Sequence, residues 1–352
     1  MRFNTIASLL LTSIKEGLFN YFSPSKVFYI SDRADWVIKD IGNALFNYLP
    51  DHQIKVTNVY FGIRNSIVHY GSITSFLTSK KIKSPHKSNK IIVSWFHVLD
   101  GDKRADLIYK VIPIVDIWHT ASHLTKQKLI QIGIPIERIM VIPLGIDTAE
   151  FMPVSREIKN NYRKKFRVPD DAIVIGSFQK DGSGWGEGLE PKLEKGPDIF
   201  CDIVEQLSKK FNIYVLLTGP SRGYVKKRLE FAQIPFHHDF LDNPISIIKY
   251  FQSIDLYLVC SREEGGPKAI LESLACGVPL VSTRVGMASD VITHGENGFL
   301  ADIEDLDELF ILSKKIIDSP LLAEKFSLNG VSSIQKYNWK IISNNYAKYL
   351  YS

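Results

Sequence analysis

Cysteine is nearly absent: Cys201, Cys260 and Cys276 are the only three in 352 residues. Two lie in strand-like or helical apolar settings, so buried free thiols in a reducing compartment are expected rather than a disulfide framework. No apolar run approaches the ~20 residues that a membrane span needs. A strong excess of one charge is missing too. The 43 Lys and Arg against 38 Asp and Glu leave a net charge of +5. That suits anionic substrates or an anionic membrane surface without demanding nucleic acid. There is no internal repeat and no long low-complexity segment. The remainder, 45% hydrophobic and 23% charged, reads as globular, and this length makes two domains the default.

Two stretches stand apart from the core pattern. Ile6-Ala-Ser-Leu-Leu-Leu-Thr-Ser-Ile14 is apolar, but Lys15 and Glu16 follow at once and no small-x-small cleavage site is evident. It is therefore expected to be an amphipathic helix docked on the body rather than a signal peptide, with membrane-surface docking left open. Residues 80–90, Lys-Lys-Ile-Lys-Ser-Pro-His-Lys-Ser-Asn-Lys, read as a solvated basic loop, or as a contact for anionic head groups or a phosphate-bearing acceptor.

Elsewhere apolar strand-like runs alternate with helical periods. Lys26–Ile30 reads as the first strand, and Asp35 as the cap of a helix from Trp36 to Tyr48. Lys90–Phe96 is a second strand, ending at His97. A helix runs from Ser122 to Ile132, stopped by Gly133. Ala172–Gly176, Asn212–Thr218 and Leu256–Val259 are further strands, and Tyr337–Tyr351 reads as a helix. This order predicts a parallel sheet in each half.

The densest stretch is Ser261-Arg-Glu-Glu-Gly-Gly-Pro-Lys-Ala-Ile-Leu-Glu-Ser-Leu-Ala-Cys-Gly-Val-Pro279. A polar turn leads to a helix with Gly266 as N-cap and Pro267 as first residue. Ile270, Leu271, Leu274 and Ala275 recur at helical spacing, and Gly277 and Pro279 end it. The opening amides of Lys268 and Ala269 have no intrahelical acceptor and favour an anion. Two carboxylates, Glu264 and Glu272, flank this seat at the carboxyl end of a strand, where open α/β sheets bind ligands.

Glu264-x7-Glu272 with Gly265-Gly266 resembles the E-x7-E signature of the family 4 glycosyltransferases. The run Ile142-Pro-Leu-Gly-Ile-Asp-Thr-Ala-Glu-Phe-Met-Pro153 is similar to the exit of that family's N-terminal domain. The resemblance is strong over about residues 90–350 and weak before them. It implies an α/β GT-B fold, two Rossmann-like parallel-sheet domains facing across a cleft. Residues 1–153 would form an acceptor-side domain, with helix 337–352 crossing back onto it, and 154–336 a nucleotide-sugar donor domain.

The same resemblance implies a retaining transfer from a nucleoside diphosphate sugar to an acceptor hydroxyl, in glycan, polysaccharide or glycolipid synthesis. Lys195, in a Lys-Gly pair, would reach the donor phosphates as a point charge. The family's arginine after the strand glycine is missing, because Ser177 follows Gly176; Lys180 is the substitute. Glu272 would accept from both ribose hydroxyls, and Glu264 from a donor-sugar hydroxyl. Amides around Gly265, Gly266, Lys268 and Ala269 would hold the distal phosphate and sugar, where glycine allows close approach. His97 would contact the donor sugar. A leaving-phosphate oxygen would take the acceptor proton, leaving the protein an electrostatic task.

No cofactor and no metal are expected, although Asp100-Gly-Asp102 is a D-x-D triplet of the kind that binds metal in the unrelated GT-A transferases. The run Asp181-Gly-Ser-Gly-Trp-Gly-Glu-Gly188 lacks dinucleotide-binding spacing. It reads as a mobile loop or lid near the donor, with Trp185 as a sugar-stacking residue, or as a disordered surface insertion. The expected partners are a nucleotide sugar and a carbohydrate or lipid-linked acceptor, without nucleic acid, in the cytoplasm or at the inner membrane face. The alternatives are a non-catalytic nucleotide-sugar-binding subunit and a nucleotide-sugar epimerase of the same architecture.

Overall fold

The computed structural model describes residues 2–32, 37–78, 81–83, 85–99 and 101–352, with the side chains of 2–10 and of Pro244 left aside. Asp35 and Trp36 of the second helix, Lys80 and Ser84 of the basic stretch and Asp100 of the D-x-D triplet lie outside the described residues.

The chain forms two compact units, Met1–Gly145 with Trp339–Ser352, and Ile146–Asn338. Six parallel strands build the first: β1 Val27–Ile30, β2 Ile54–Thr57, β3 Ile67–Tyr70, β4 Lys90–Ser94, β5 Ile117–Thr120 and β6 Ile139–Val141, in the order β2-β1-β3-β4-β5-β6. All-parallel sheets need both faces covered, which is why β1 is buried at every position. Helices Val37–Tyr48 and His123–Gln131 supply cover. Ser122 caps the second of these through a bond from the Thr125 amide. The core gathers Trp95, Trp118, Phe76, Val93 and Leu129.

One polar chain threads this core. His69 Nδ1 meets Tyr351 Oη at 2.8 Å, and His69 Nε2 meets Ser94 Oγ at 2.8 Å. Ser94 Oγ meets His119 Nδ1 at 2.7 Å, and His119 Nε2 meets the Ile142 carbonyl at 3.0 Å. A carbonyl only accepts, so His119 Nε2 carries the proton. The direction then follows back along the chain: Ser94 donates to His119, His69 Nε2 donates to Ser94, and Tyr351 donates to His69. Both histidines are neutral and every ring nitrogen is used. The chain binds the C-terminal tail to the sheet, and helix Trp339–Tyr349 packs on Val37–Tyr48.

The second unit repeats the plan with β7 Ile173–Phe178, β8 Ile213–Thr218, β9 Phe236–Asp239, β10 Leu256–Val259, β11 Leu280–Thr283 and β12 Phe299–Ala301, in the order β12-β11-β10-β7-β8-β9. Its pairings are parallel throughout. β8 is buried at all positions, and helices Pro197–Ser208 and Leu306–Asp318 pack into the core beside it. Cys201, Cys260 and Cys276 are free and buried, as their apolar settings predict. The carboxyl ends of β7 and β10, neighbours in the sheet, present residues 179–196 and 260–267 together.

Candidate active site

The loop after β10 is fixed before it reaches the helix. Thr283 Oγ1 donates to the Ser261 carbonyl at 2.6 Å, and the amides of Arg262 and Glu263 donate to the Glu194 carbonyl at 2.9 and 3.1 Å. The Arg262 guanidinium holds both Asp198 oxygens, at 2.9 and 2.7 Å, and Glu304 at 2.6 Å. Burial pushes the Asp198 carboxyl up, but Arg262 outweighs it and keeps it below the usual carboxylate range. Arg262 thus fastens the Glu264 loop to the start of helix Pro197–Ser208.

Gly196 explains why Lys195 precedes a glycine. Its φ is +62°, and a Cβ there would lie 1.9 Å from the Cys260 carbonyl oxygen. Only glycine permits both the left-handed turn and that approach. The turn brings Lys195 Nζ to 2.7 Å from Glu264 Oε1, and Ser261 Oγ donates to the same oxygen at 3.0 Å. Lys195 is 18% exposed at its side chain and Glu264 9%, so the pair is largely desolvated. Gln179 Nε2 donates to the Lys195 carbonyl at 3.2 Å, tying in the end of β7.

The helix begins at Lys268, with Pro267 as its N-cap, one residue later than the sequence pattern predicts. Pro267 has an extended ψ of 94°, which places it outside the helix. Gly265 and Gly266 precede it, and Gly286 lies so close that a Cβ would be 2.8 Å from the Gly265 carbonyl oxygen. Ala269 occupies the first turn. Glu272, buried on the same helix, meets Lys268 Nζ at 3.2 Å, and Lys268 also faces the Phe151 ring at 5.9 Å from its centroid. The arrangement is two buried carboxylates, each beside a lysine, with a helix start between them. It is suited to a ligand bearing both hydroxyls and phosphates.

Lys180 stands over the Trp185 ring, 3.9 Å from its centroid. The glycine-rich run that carries Trp185 is strapped down. Ser183 N–H donates to the Glu190 carbonyl at 2.8 Å, and Ser221 Oγ contacts the carbonyls of Gly184 and Gly186 at 3.2 and 3.0 Å. The Gly223 and Tyr224 amides donate to Glu187 and Gly188 at 2.8 Å each. Trp185 itself is 70% exposed. His97 is exposed beyond β4 in the first unit, and Trp95 Nε1 donates to its carbonyl at 2.6 Å. Asp102 is held by Arg104, whose Nη2 lies 2.6 Å from its carboxylate.

A family model described as "Glycosyl transferases group 1" matches residues 190–332, the span that holds Lys195, Glu264 and Glu272. The second unit carries a group 1 glycosyltransferase domain. That bears out the family 4 resemblance drawn from Glu264 and Glu272. The O-antigen biosynthesis glycosyltransferase WclY of Escherichia coli is 29% identical over 158 residues, 43% of this chain and 39% of that protein. This chain thus matches about two fifths of that curated relative's length. A GDP-mannose-dependent monoacylated alpha-(1-6)-phosphatidylinositol monomannoside mannosyltransferase of Corynebacterium glutamicum is 23% identical over 310 residues, 85% of this chain and 77% of that one. Among solved structures, HepE of Anabaena with UDP-glucose aligns at a TM-score of 0.73 and 17% identity, covering 92% of this chain and 98% of that one. Sucrose-phosphate synthase from Thermosynechococcus elongatus aligns at 0.66 and 16% over 89% of this chain and 77% of that one. These likenesses show the fold: GT-B, with two parallel six-stranded sheets.

Within the glycosyltransferase domain, sequence reasoning passed over two arginines. Arg262 is one. Arg222 is the other, and it answers the departure at Ser177. Fully buried, it donates to the carbonyls of Ser177, Gln179 and Thr218 at 2.8 Å each, and to Ser177 Oγ at 2.9 Å. Its Nε lies 3.0 Å from Asp181 Oδ1, paired in charge though not in hydrogen-bond direction. Burial pushes the Asp181 carboxyl up, and Arg222 offsets this only in part. Arg222 therefore shapes the loop around Lys180 and does not itself offer a donor to a ligand. Its only sequence signal is its place directly after the β8 turn, Gly219-Pro-Ser-Arg222.

Proposed function

We propose that the protein is a retaining glycosyltransferase that moves a sugar from a nucleoside diphosphate sugar to an acceptor hydroxyl, in glycan, polysaccharide or glycolipid synthesis and without a metal. The observation that carries this reading is the Lys195–Glu264 pair at 2.7 Å, set beside the start of the helix that bears Glu272. HepE is described in complex with UDP-glucose, which supports a nucleotide sugar as donor.

Donor binding exchanges partners. A phosphate oxygen takes Lys195 from Glu264, and a sugar hydroxyl donates to the Glu264 carboxylate in its place. Neither buried charge is then left alone. Glu272 accepts from the ribose hydroxyls with its two oxygens. The amides of Gly265, Gly266, Lys268 and Ala269, with the helix dipole, hold the distal phosphate. Lys180 leaves Trp185 to reach the diphosphate. As the glycosidic bond to the leaving oxygen breaks, negative charge grows on the diphosphate, and Lys195, Lys180 and the helix amides stabilise it. The departing oxygen takes the acceptor proton, so no opposed base is needed for attack from the face it leaves. The first unit, which carries His97, binds the acceptor.

The test is a panel of nucleoside diphosphate sugars with and without glycan or lipid-linked acceptors, read by released diphosphate in the presence of chelator. Acceptor-dependent release, with the product's anomeric configuration matching the donor, supports the proposal. No release with any donor supports a binding subunit instead, and donor interconversion without release supports an epimerase.

A further inference from the structure

The N-terminal helix, Arg2–Tyr21, is amphipathic in the reverse sense for a helix packed on a protein body. Over its C-terminal half, Glu16, Gly17 and Asn20 face inward. Glu16 Oε1 accepts from Thr57 Oγ1. Asn20, 2% exposed, donates from Nδ2 to the Val59 carbonyl at 2.9 Å. Gly17 lies so near the Phe61 ring that a Cβ would be 2.2 Å from it. Leu11, Ile14, Leu18 and Phe22 follow each other at intervals of three and four, on the opposite side of the helix. They are 68, 55, 59 and 78% exposed. Phe19 and Tyr21 flank them, also exposed. A monomer rarely leaves so many large apolar side chains together in water.

We propose that this outward stripe is a docking surface for an anionic lipid bilayer. Charge selects the occupant. Between Leu11 and Lys26 the only acid is Glu16, and it is turned inward on Thr57. Lys15 borders the stripe, 5.8 Å from the Phe19 ring centroid, and Lys26 stands exposed just past the helix. The outward surface is therefore apolar, ends in two aromatics and carries lysines at its edge. That is the composition of a helix lying in the plane of an anionic interface. Among the described residues no helix is long and apolar enough to span, so the contact is peripheral. The aromatic pair Tyr21 and Phe22, edge to face at 5.1 Å, would sit at head-group depth. The surface lies wholly in the first unit and owes nothing to the donor chemistry of the second.

The experiment is cosedimentation of the full chain with phosphatidylcholine vesicles, with and without phosphatidylglycerol. Wild type is compared with Leu18→Glu/Phe22→Glu and with Lys15→Glu/Lys26→Glu, each checked for an unchanged cooperative melt. Wild type is expected to bind the phosphatidylglycerol vesicles and to release them in high salt. The apolar double variant should bind about tenfold less or worse. The lysine variant should lose the salt-sensitive part. Equal binding by wild type and Leu18→Glu/Phe22→Glu, or none by wild type, overturns the proposal. So does equal binding to vesicles lacking phosphatidylglycerol. A wild-type dimer in light scattering that the apolar variant disperses, without vesicle binding, assigns the stripe to a second copy and likewise overturns it.

Discussion

Lys195 Nζ lies 2.7 Å from Glu264 Oε1, across 69 residues of sequence, and Ser261 Oγ donates to the same carboxylate oxygen at 3.0 Å. The cation assigned to phosphate and the carboxylate assigned to a sugar hydroxyl are each other's partner. Both are largely buried, so removing either leaves a desolvated charge behind.

Lys195→Ala should therefore lower kcat by roughly a hundredfold or more, since losing one preorganised contact to developing charge costs about 2.7–4 kcal/mol. The check is the turnover rate at saturating donor. An unchanged rate removes Lys195 from the phosphate grip. Lys195→Arg keeps the charge but changes its shape, and should recover only part of the rate.

Glu272→Ala acts on the other end of the donor. It takes away two acceptor oxygens that are buried beside Lys268 at 3.2 Å. Nucleotide affinity should fall by about tenfold to a hundredfold, the range for a hydrogen bond to a charged group. Inorganic diphosphate, which has no ribose, should bind the variant as it binds wild type. Calorimetry with both ligands separates a ribose contact from a general loss of the site.

Gly196→Ala tests the turn itself. A Cβ placed 1.9 Å from the Cys260 carbonyl oxygen at a φ of +62° must push β10 and the Lys195 loop apart. The expected result is a loss of at least about 2 kcal/mol in stability, with activity lost even where the chain still folds. Denaturant melts and activity measured on the same preparation decide it. A variant as stable and active as wild type would show that the close approach is not required.

The neutral histidine chain sets an acid limit. Burial lowers His69 well below its ordinary 6.5 and lowers His119 to about 4. An unfolded histidine takes its proton near 6.5, so below that pH the unfolded state binds more protons. Stability is full above about pH 6.5 and declines toward about pH 4. Paired carboxylates such as Asp198 and Asp255 are held below their usual 3.8 and contribute their losses at lower pH. Melting temperatures across this window should fall for wild type and fall less steeply in His119→Asn, where His69 alone remains to be protonated. A flat wild-type profile would contradict the chain's neutral state.

Much of the architecture could be read from apolar runs, because strands buried on both faces carry almost nothing else. β1, β4, β7, β8 and β10 are of this kind, and each appears in the sequence as such a run. β2 and β9 escaped notice because each is an edge strand that, unlike the opposite edges β6 and β12, is at least half polar. Ile54-Lys-Val-Thr57 and Phe236-His-His-Asp239 keep polar residues that an edge tolerates. β3 escaped for another reason. His69 is fully buried on it, which depends on bonds to Ser94 and Tyr351 that no local pattern announces.

The site divides in the same way. Glu264, Glu272 and the glycines were legible because their spacing places them on one loop and one helix. The ion pair of Glu264 with Lys195, the Arg262 staple and the burial of Arg222 against Ser177 were not, because each joins segments distant in sequence. The N-terminal helix was legible as amphipathic, but its docking through Glu16, Gly17 and Asn20 reverses the face that hydropathy alone would bury.

The most direct test of the account is a calorimetric titration of the full chain with UDP and GDP, repeated with the matching monophosphates and with Lys195→Ala. The account predicts one site per chain in the second unit, tighter for at least one diphosphate than for its monophosphate, with that difference largely lost in Lys195→Ala. No binding of either diphosphate, or equal affinities for wild type and variant, would contradict the claim that Lys195 and the helix start beside Glu264 hold a nucleoside diphosphate.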